Sequence, residues 1–311
     1  MLNRSGKFIL TFGSCGWDRI FRKKPDGGRE LVYEEEGRKN SHQAVAVRKA
    51  GAESMLVSFV GDDEIGGRVL ESLKQCGVDT SHVTVVNGAA TEVNNQILDP
   101  ETKDYELERG PAELSQRYSP EMVAQYRQEI LRADWVILVS KQPHDFLTEI
   151  IGFCFDNGIK TALTVSHRKF DVRDASDLET LRKCTVIAGN TEEMRDLTGC
   201  AETAEMLALL PNLMITSAAG VWFCDESGAD CFEPSVPVPT DTIVETNGAG
   251  DTFIGNFMAA RAAGRSILES VRIGQCASAL EIQKMGVLNA MPNMDETLRL
   301  YNAQYKQNSI K

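Results

Sequence analysis

The distribution of apolar residues along the chain changes character near residue 119. Beyond that point, short apolar runs without polar alternation are separated by longer segments with apolar residues on one helical face. Trp135–Val139 is the clearest run, and Asp145–Asn157 is the clearest helical segment. Because strands covered by helices on both faces show such uninterrupted apolar runs, we predict a mostly parallel sheet with right-handed crossover helices. Further strands are predicted near 160–165, 184–188 and 212–216.

The N-terminal third of the chain combines the same elements with shorter and more polar strands. Phe8–Gly13 is a buried strand, and the turn Lys24–Gly28 joins two lightly apolar strands into a hairpin. Residues 83–98 and 104–109 are extended and are joined by a second turn, so we interpret them as another pair. Together they predict a small β-sheet that stands off the main sheet, with strands from about 16–36 and 89–110.

Length, charge and cysteine content narrow the class of protein. At 311 residues, the chain is long enough for one large α/β domain or two average ones. Its formal net charge of −12 argues against nonspecific binding to nucleic acid or to anionic membranes. No apolar run is long enough to span a bilayer, and the one at residues 7–12 is too short for a secretion signal. Eight scattered cysteines without metal-binding spacing are typical of reduced thiols, so we predict a cytoplasmic protein without nucleic-acid or membrane partners.

The stretch Gly248-Ala-Gly-Asp251 carries the clearest chemical signal. Its small residues lead into a segment with helical periodicity, and unpaired N–H groups at a helix start attract anions. A carboxylate beside such an anion site is suited to removing a proton from a hydroxyl that then attacks a phosphate. The alternative is a structural one, because glycine-rich turns often start helices and aspartate is favoured in the first turn.

Six separated stretches resemble the ribokinase family, the phosphofructokinase-B type sugar and nucleoside kinases. Thr246-Asn-Gly-Ala-Gly-Asp251 is similar to the C-terminal signature of that family. The other similar stretches are Gly13–Asp18, Gly37–Ala46, Val60–Asp79, Asn190–Glu193 and Ile215–Gly220; the third of these implies scaffolding only. The resemblance implies one domain over residues 1–311, a three-layer α/β/α sandwich with a mostly parallel central sheet and a small β-sheet lid.

The resemblance also implies a nucleotide site for ATP and Mg²⁺. Asp251 is then the general base, and the N–H groups of Gly248, Ala249 and Gly250 stabilise the transferred phosphoryl group. Glu193 is expected to hold Mg²⁺ through water, and Glu245 replaces an aspartate that often helps to hold a monovalent cation, so potassium dependence stays open. The other residues expected at the nucleotide are Asn190, Thr216, Gly220, Asn247, Gln275 and Gly286.

The segment Gly37-Arg-Lys-Asn-Ser-His-Gln-Ala44 resembles the family's Gly-Gly-x-x-x-Asn-x-Ala segment, with two departures. Arg38 stands where a second glycine is usual, and His42 stands where asparagine is usual. Both positions touch the sugar in the family, so one hypothesis is an acceptor with an acidic or extended group. The alternative is that Arg38 points to solvent and His42 caps the helix predicted over Gln43–Ala50. The acceptor-binding residues implied by the resemblance are Asp18, Arg38, Asn40, His42 and Arg109.

The resemblance implies an ATP-dependent kinase that phosphorylates a hydroxyl, a primary alcohol of a sugar or sugar-like molecule. One alternative is a nucleoside kinase, although the polar lid segments Glu34–Glu36 and Asn94–Gln96 offer little apolar surface for a base. Another alternative is a non-catalytic sugar or nucleotide sensor with the same fold, against which Asp251 argues. Because lid strands have exposed edges that a second subunit would cover, we also expect a homodimer formed through the lid.

Overall fold

The computed structural model describes residues 7–98, 105–110, 113–166 and 169–306. None of the helices within these ranges is long and apolar enough to cross a membrane. The strands are β1 (Phe8–Phe12), β2 (Gly16–Lys23), β3 (Arg29–Gly37), β4 (Glu53–Gly61), β5 (Val83–Val86), β6 (Val93–Leu98), β7 (Tyr105–Arg109), β8 (Trp135–Val139), β9 (Lys160–Thr164), β10 (Val186–Asn190), β11 (Leu213–Thr216), β12 (Gly220–Cys224) and β13 (Asp230–Pro234). The helices are α1 (Lys39–Lys49), α2 (Glu64–Gln75), α3 (Glu121–Gln125), α4 (Arg127–Arg132), α5 (His144–Asp156), α6 (Ala175–Lys183), α7 (Thr191–Thr198), α8 (Thr203–Leu209), α9 (Ala249–Ala262), α10 (Ile267–Glu281) and α11 (Met294–Tyr301).

The large sheet has the strand order β13-β12-β11-β10-β9-β8-β1-β4-β5. Neighbouring strands from β11 to β5 pair in parallel, whereas β12 and β13 continue the sheet as an antiparallel hairpin. The apolar run of β8 is fully buried, as expected for a central parallel strand. The predicted mostly parallel sheet is therefore confirmed.

Apolar side chains on the two faces of the large sheet form separate clusters. On one face, Leu10 and Leu138 pack with side chains from α3 to α8. On the other face, Ile9 and Ile137 pack with side chains from α1, α9 and α10, including Phe253. Alternate residues of one strand point to opposite faces, so β1 and β8 contribute to both clusters. Helices therefore cover both faces, which confirms the three-layer α/β/α sandwich.

The small sheet has the strand order β3-β2-β6-β7. Asp18 on β2 lies opposite Glu35 on β3 and Asn94 on β6. Our assignment of all of residues 83–98 to this sheet is wrong in part, because Val83–Val86 pairs in parallel with β4 at the edge of the large sheet. The sequence Val-Thr-Val-Val suits either sheet, and only the long-range pairing with β4 decides between them.

Candidate active site

A cavity of about 710 Å³ lies at the carboxyl ends of three parallel strands. Thr164 at the end of β9, Asn190 at the end of β10 and Thr216 at the end of β11 contribute to its wall. The opposite wall comes from α9 and α10. Open α/β sheets bind ligands at this edge, because the loops that follow parallel strands converge there.

The N-terminus of α9 faces this cavity with unpaired N–H groups. Gly248 precedes the helix with a φ of 89°, a conformation that glycine adopts without strain. Within the described residues, the backbone N–H groups of Gly250 and Asp251 donate to no acceptor. Gly250 and Asp251 both line the cavity. Unpaired N–H groups and the positive end of the helix dipole make this end of α9 suitable for a phosphate group.

Close packing of α1 against α9 positions the Asp251 carboxylate. A methyl group on Gly255 of α9 would collide with Ala46 of α1, so the two helices touch at this point. One turn earlier on each helix, Gln43 Nε2 donates to Asp251 Oδ1 at 2.9 Å. His42 Nδ1 lies 3.7 Å from Asp251 Oδ2. The carboxylate is therefore held between two side chains of α1 and still faces the cavity.

The His42 ring is buried between the lid and α9. Its Nε2 atom lies 3.1 Å from the backbone oxygen of Glu36. Burial opposes the charged ring, but Asp251, Glu36 and Asp18 together outweigh it and raise the pKa of His42 to about 10. His42 therefore adds a positive charge beside Asp251. It caps no helix, because the residue before α1 is Arg38, so that part of the structural alternative is wrong.

The predicted nucleotide residues Asn190, Glu193, Thr216 and Gln275 all line the cavity. Asn190 and Glu193 form a capping box at the start of α7, in which each side chain accepts from the backbone N–H of the other residue. The capping box therefore holds the Glu193 side chain close to the carboxyl end of β10.

Lys39 is a cavity residue that our sequence analysis missed. Its Nζ atom donates to Glu193 Oε1 at 3.0 Å and to the backbone oxygen of Val165 at 2.6 Å. A cation at this place is suited to binding phosphate oxygens. The available signal was its position directly after Arg38, in the same unusual segment.

Three predicted nucleotide residues do not line the cavity: Gly220, Asn247 and Gly286. Gly220 starts β12, where a methyl group would collide with the backbone oxygen of Glu233, so close packing against β13 explains the glycine at this position.

Gly286 donates its N–H to Glu245 Oε2 at 3.2 Å. Tyr33 of the lid donates its hydroxyl to Glu245 Oε1 at 2.7 Å. Glu245 therefore joins the lid strand β3 to the loop after α10.

Arg38 is buried between the end of β3 and the start of α1, so the alternative that it points to solvent is wrong. Its Nη1 atom lies 2.6 Å from Asp18 Oδ1, and its Nε atom lies 3.1 Å from Glu92 Oε2. The side chains of Arg38, Asp18 and Glu92 are only 8%, 10% and 3% exposed. Removing one member of a buried ion pair typically costs about 3–5 kcal/mol. Because two carboxylates already surround its charge, Arg38 is not a spare cation for an acidic acceptor.

The backbone of Arg38 is strained. Its φ of 149° and ψ of 147° lie in a region that glycine adopts almost exclusively, and α1 begins directly afterwards at Lys39. A side chain in this region costs about 1–3 kcal/mol. The two ion pairs hold the side chain in this position.

Asn40 and Arg109 differ in their relation to Asp18. Asn40 is fully buried, and its side chain fills the space that a methyl group on Gly13 would occupy. Arg109 is exposed on β7 opposite Asn94, which in turn lies opposite Asp18. The structure thus joins Asp18 to Arg38, places Asn40 beside Gly13, and leaves Arg109 exposed on the edge strand of the small sheet.

Glu281 is a fully buried carboxyl group that our sequence analysis also missed. It lies beside Gly248, and its Oε2 atom has no hydrogen-bond partner in the described part of the chain. Burial, with a smaller contribution from the charge of Glu245, raises the pKa of Glu281 from 4.5 to about 9. The folded protein therefore binds this proton more tightly than the unfolded chain does.

This pKa shift predicts a pH-dependent effect of Glu281→Gln. Between pH 4.5 and 9 Glu281 keeps its proton in the folded state and loses it in the unfolded state, so its contribution to stability falls as pH rises through this window. Glutamine cannot ionise, so the variant should gain about 3 kcal/mol relative to wild type between pH 4.5 and 7. Urea unfolding at both pH values, without potassium, measures this change. The exposed Glu205→Gln is the control, and a pH-independent difference for Glu281→Gln would contradict the prediction.

A family model described as pfkB family carbohydrate kinase matches residues 39–294. The match includes α1, Asn190, Glu193 and the N-terminus of α9, and it begins one residue after Arg38.

Curated relatives match over nearly the whole chain. The ribokinase of Bacillus subtilis (strain 168) is 26% identical over 299 residues, which cover 94% of this chain and 98% of that protein. The ribokinase of Lactococcus lactis subsp. lactis (strain IL1403) is 28% identical over 298 residues, which cover 93% of this chain and 95% of that protein.

Solved structures share the fold. A structure of Arabidopsis thaliana ribokinase complexed with ribose and ATP has a TM-score of 0.82 and 21% identity, and the match covers 95% of this chain and 99% of that one. An E. coli protein described as a ribokinase II, in complex with ATP and Mg²⁺, has a TM-score of 0.79 and 15% identity, with coverage of 96% and 99%.

Proposed function

The chain belongs to the pfkB family of carbohydrate kinases, and from that premise we propose that its cavity binds ATP and transfers a phosphoryl group to a sugar hydroxyl. The observation that carries the proposal is the Asp251 carboxylate at the first turn of α9, beside unpaired N–H groups and inside the cavity. The curated relatives compared above are named ribokinases, so the nucleoside kinase and sensor alternatives gain no support.

In this proposal Asp251 is the general base. It takes the proton of the acceptor hydroxyl, the acceptor oxygen forms a bond to the terminal phosphorus of ATP, and ADP leaves. Gln43 and His42 hold the carboxylate in place through the contacts described above. The unpaired N–H groups of Gly250 and Asp251 stabilise negative charge on the transferred group. Of the other two donors that the resemblance implied, Ala249 donates to the backbone oxygen of Thr246 at 3.4 Å, and Gly248 does not line the cavity.

The residues around the phosphate region suit a Mg²⁺–ATP complex. The described residues contain no cluster of three or more His, Cys, Asp or Glu side chains that would bind a metal by themselves, so a metal here would rely on phosphate oxygens and water. Glu193 and Asn190 are the residues proposed to hold it through water, and Lys39 is proposed to bind phosphate directly. When bound, Mg²⁺ neutralises charge on the phosphates.

Potassium dependence, a homodimer and a cytoplasmic location are further parts of this proposal. Potassium dependence would involve Glu245, although both of its oxygens already accept hydrogen bonds from Tyr33 and Gly286. A homodimer would cover the lid edges β3 and β7, which carry the exposed side chains of Leu31 and Leu107. A cytoplasmic location agrees with eight cysteines that form no disulfide.

The proposed function is tested by measuring ADP release from purified protein with Mg²⁺-ATP and a panel of acceptors. The panel contains pentoses, hexoses, sugar acids, polyols and nucleosides. We expect at least one neutral sugar or polyol to raise the rate of ADP release well above the rate with water alone. ATP binding without stimulation by any acceptor would instead favour a sensor, and stimulation by nucleosides alone would favour a nucleoside kinase.

A further inference from the structure

Arg38 is the one non-glycine residue with a positive φ in the described ranges. Strained backbone persists only where surrounding contacts hold it, and it is concentrated at functional sites. The contacts here are ion pairs to Asp18 and Glu92, all three side chains being buried. The strained residue is therefore held in part by Asp18, the residue proposed to bind the acceptor.

The Arg38 ion pair limits what Asp18 is able to bind. A carboxylate that recognises two adjacent hydroxyls accepts one hydrogen bond with each oxygen. In this structure Asp18 Oδ1 is 2.6 Å from Arg38 Nη1, while Oδ2 accepts, from the residues that the structure describes, only a 3.3 Å bond from Gln96 Nε2. A neutral hydroxyl displaces the long amide bond far more easily than a buried, charge-assisted one. Asp18 therefore has one oxygen available to an acceptor.

The buried charged side chains around Arg38 also disfavour an anionic acceptor. Asp18 and Glu92 are two carboxylates against the single guanidinium of Arg38. Glu36, two residues before Arg38, is a further fully buried carboxyl group without a hydrogen-bond partner among the described residues. His42, the other cation at this place, already faces Asp251, and Arg38 already pairs with two carboxylates, so neither positive charge is left for a sugar acid.

We propose that Arg38 determines acceptor specificity by occupying one oxygen of Asp18, so that the site recognises a single hydroxyl instead of an adjacent pair. The acceptor class that fits is a neutral sugar or polyol that lacks one hydroxyl of the pair, that is, a deoxy sugar or a related polyol. This inference rests on the proposed kinase function and on Asp18 facing the acceptor.

The test compares kcat/KM for ribose, 2-deoxyribose and 3-deoxyribose in the wild type and in Arg38→Gly combined with Glu92→Gln. The double variant removes one positive and one negative group, and glycine suits the φ of 149° at this position. In the wild type, at least one deoxy sugar should match or exceed ribose. In the variant Arg38 no longer occupies Oδ1, and the acceptor still displaces the long Gln96 bond to Oδ2, so ribose should exceed both deoxy sugars by about tenfold or more.

Two further variants separate the causes. Arg38→Ala with Glu92→Gln also frees Asp18 but keeps a side chain at the strained position, so it should shift preference toward ribose with a lower melting temperature than the glycine variant. Arg29→Ala with Glu108→Gln removes an exposed ion pair, 2.8 Å long, from the same sheet and should leave the sugar preference unchanged.

The inference is overturned if wild-type protein already prefers ribose to both deoxy sugars by tenfold. It is equally overturned if the folded glycine variant keeps the wild-type preference. Should no sugar be phosphorylated, the proposed kinase function fails separately, and calorimetric binding of the same three sugars to both proteins still tests the role of Arg38.

Discussion

Asp251→Asn is expected to lower kcat for the best acceptor by about 10³-fold, within the range that a general base contributes. The amide has nearly the same shape as the carboxylate and can still accept the hydrogen bond from Gln43 Nε2. It cannot take up the hydroxyl proton. The unpaired N–H groups of the helix start are unchanged, so ATP should bind with an affinity close to that of the wild type.

Steady-state ADP release and calorimetric ATP binding measure the two halves of this expectation. Asp196→Asn, at an exposed position of α7, makes the same chemical change away from the cavity and should leave both quantities unchanged. An Asp251→Asn enzyme within tenfold of wild-type kcat would show that another group accepts the proton. Loss of ATP binding would instead show that Asp251 acts mainly on the structure of the helix start.

The fold was predictable where local pattern determines it. The uninterrupted apolar run Trp135–Val139 and the helical stripe within Asp145–Asn157 each specify their element without help from distant residues. The hairpin of β12 and β13 was not predicted, and neither was the assignment of Val83–Val86. Short β-strands join a sheet through partners far away in sequence, and propensity alone does not identify the partner.

In the candidate site, too, some residues were predictable from the sequence, and others depend on partners far away in the sequence. Asp251 was identified from the local pattern Gly248–Asp251, whereas Asn190 and Glu193 came from the resemblance to the family, and all three residues line the cavity. The environment of Arg38 was not predictable, because its partners Asp18 and Glu92 lie 20 and 54 residues away in the sequence. Its unusual backbone had one indirect signal, because Arg38 stands where the family has a glycine, but residue type alone does not indicate that an arginine adopts a glycine conformation.

Gly248→Ala is the second variant with a large expected effect. A methyl group at Gly248 would collide with Cγ1 of Val287 and lie 3.0 Å from Glu281 Oε1. The φ of 89° is in addition unfavourable for alanine. We expect a loss of about 2 kcal/mol in stability and, because the unpaired N–H groups at the helix start would move, a loss of about 10²-fold in kcat.

Gly250→Ala provides the matched comparison, because the same methyl group two residues later meets no protein atom within 4 Å. Gly250 lies inside α9, where alanine is favoured over glycine by up to about 1 kcal/mol, so this variant should melt at or above the wild-type temperature. Its kcat should fall less than that of Gly248→Ala. Thermal melts and ADP release on both variants test the pair. If Gly248→Ala melted and turned over like the wild type, close packing around Gly248 would not be what places the N–H groups of α9.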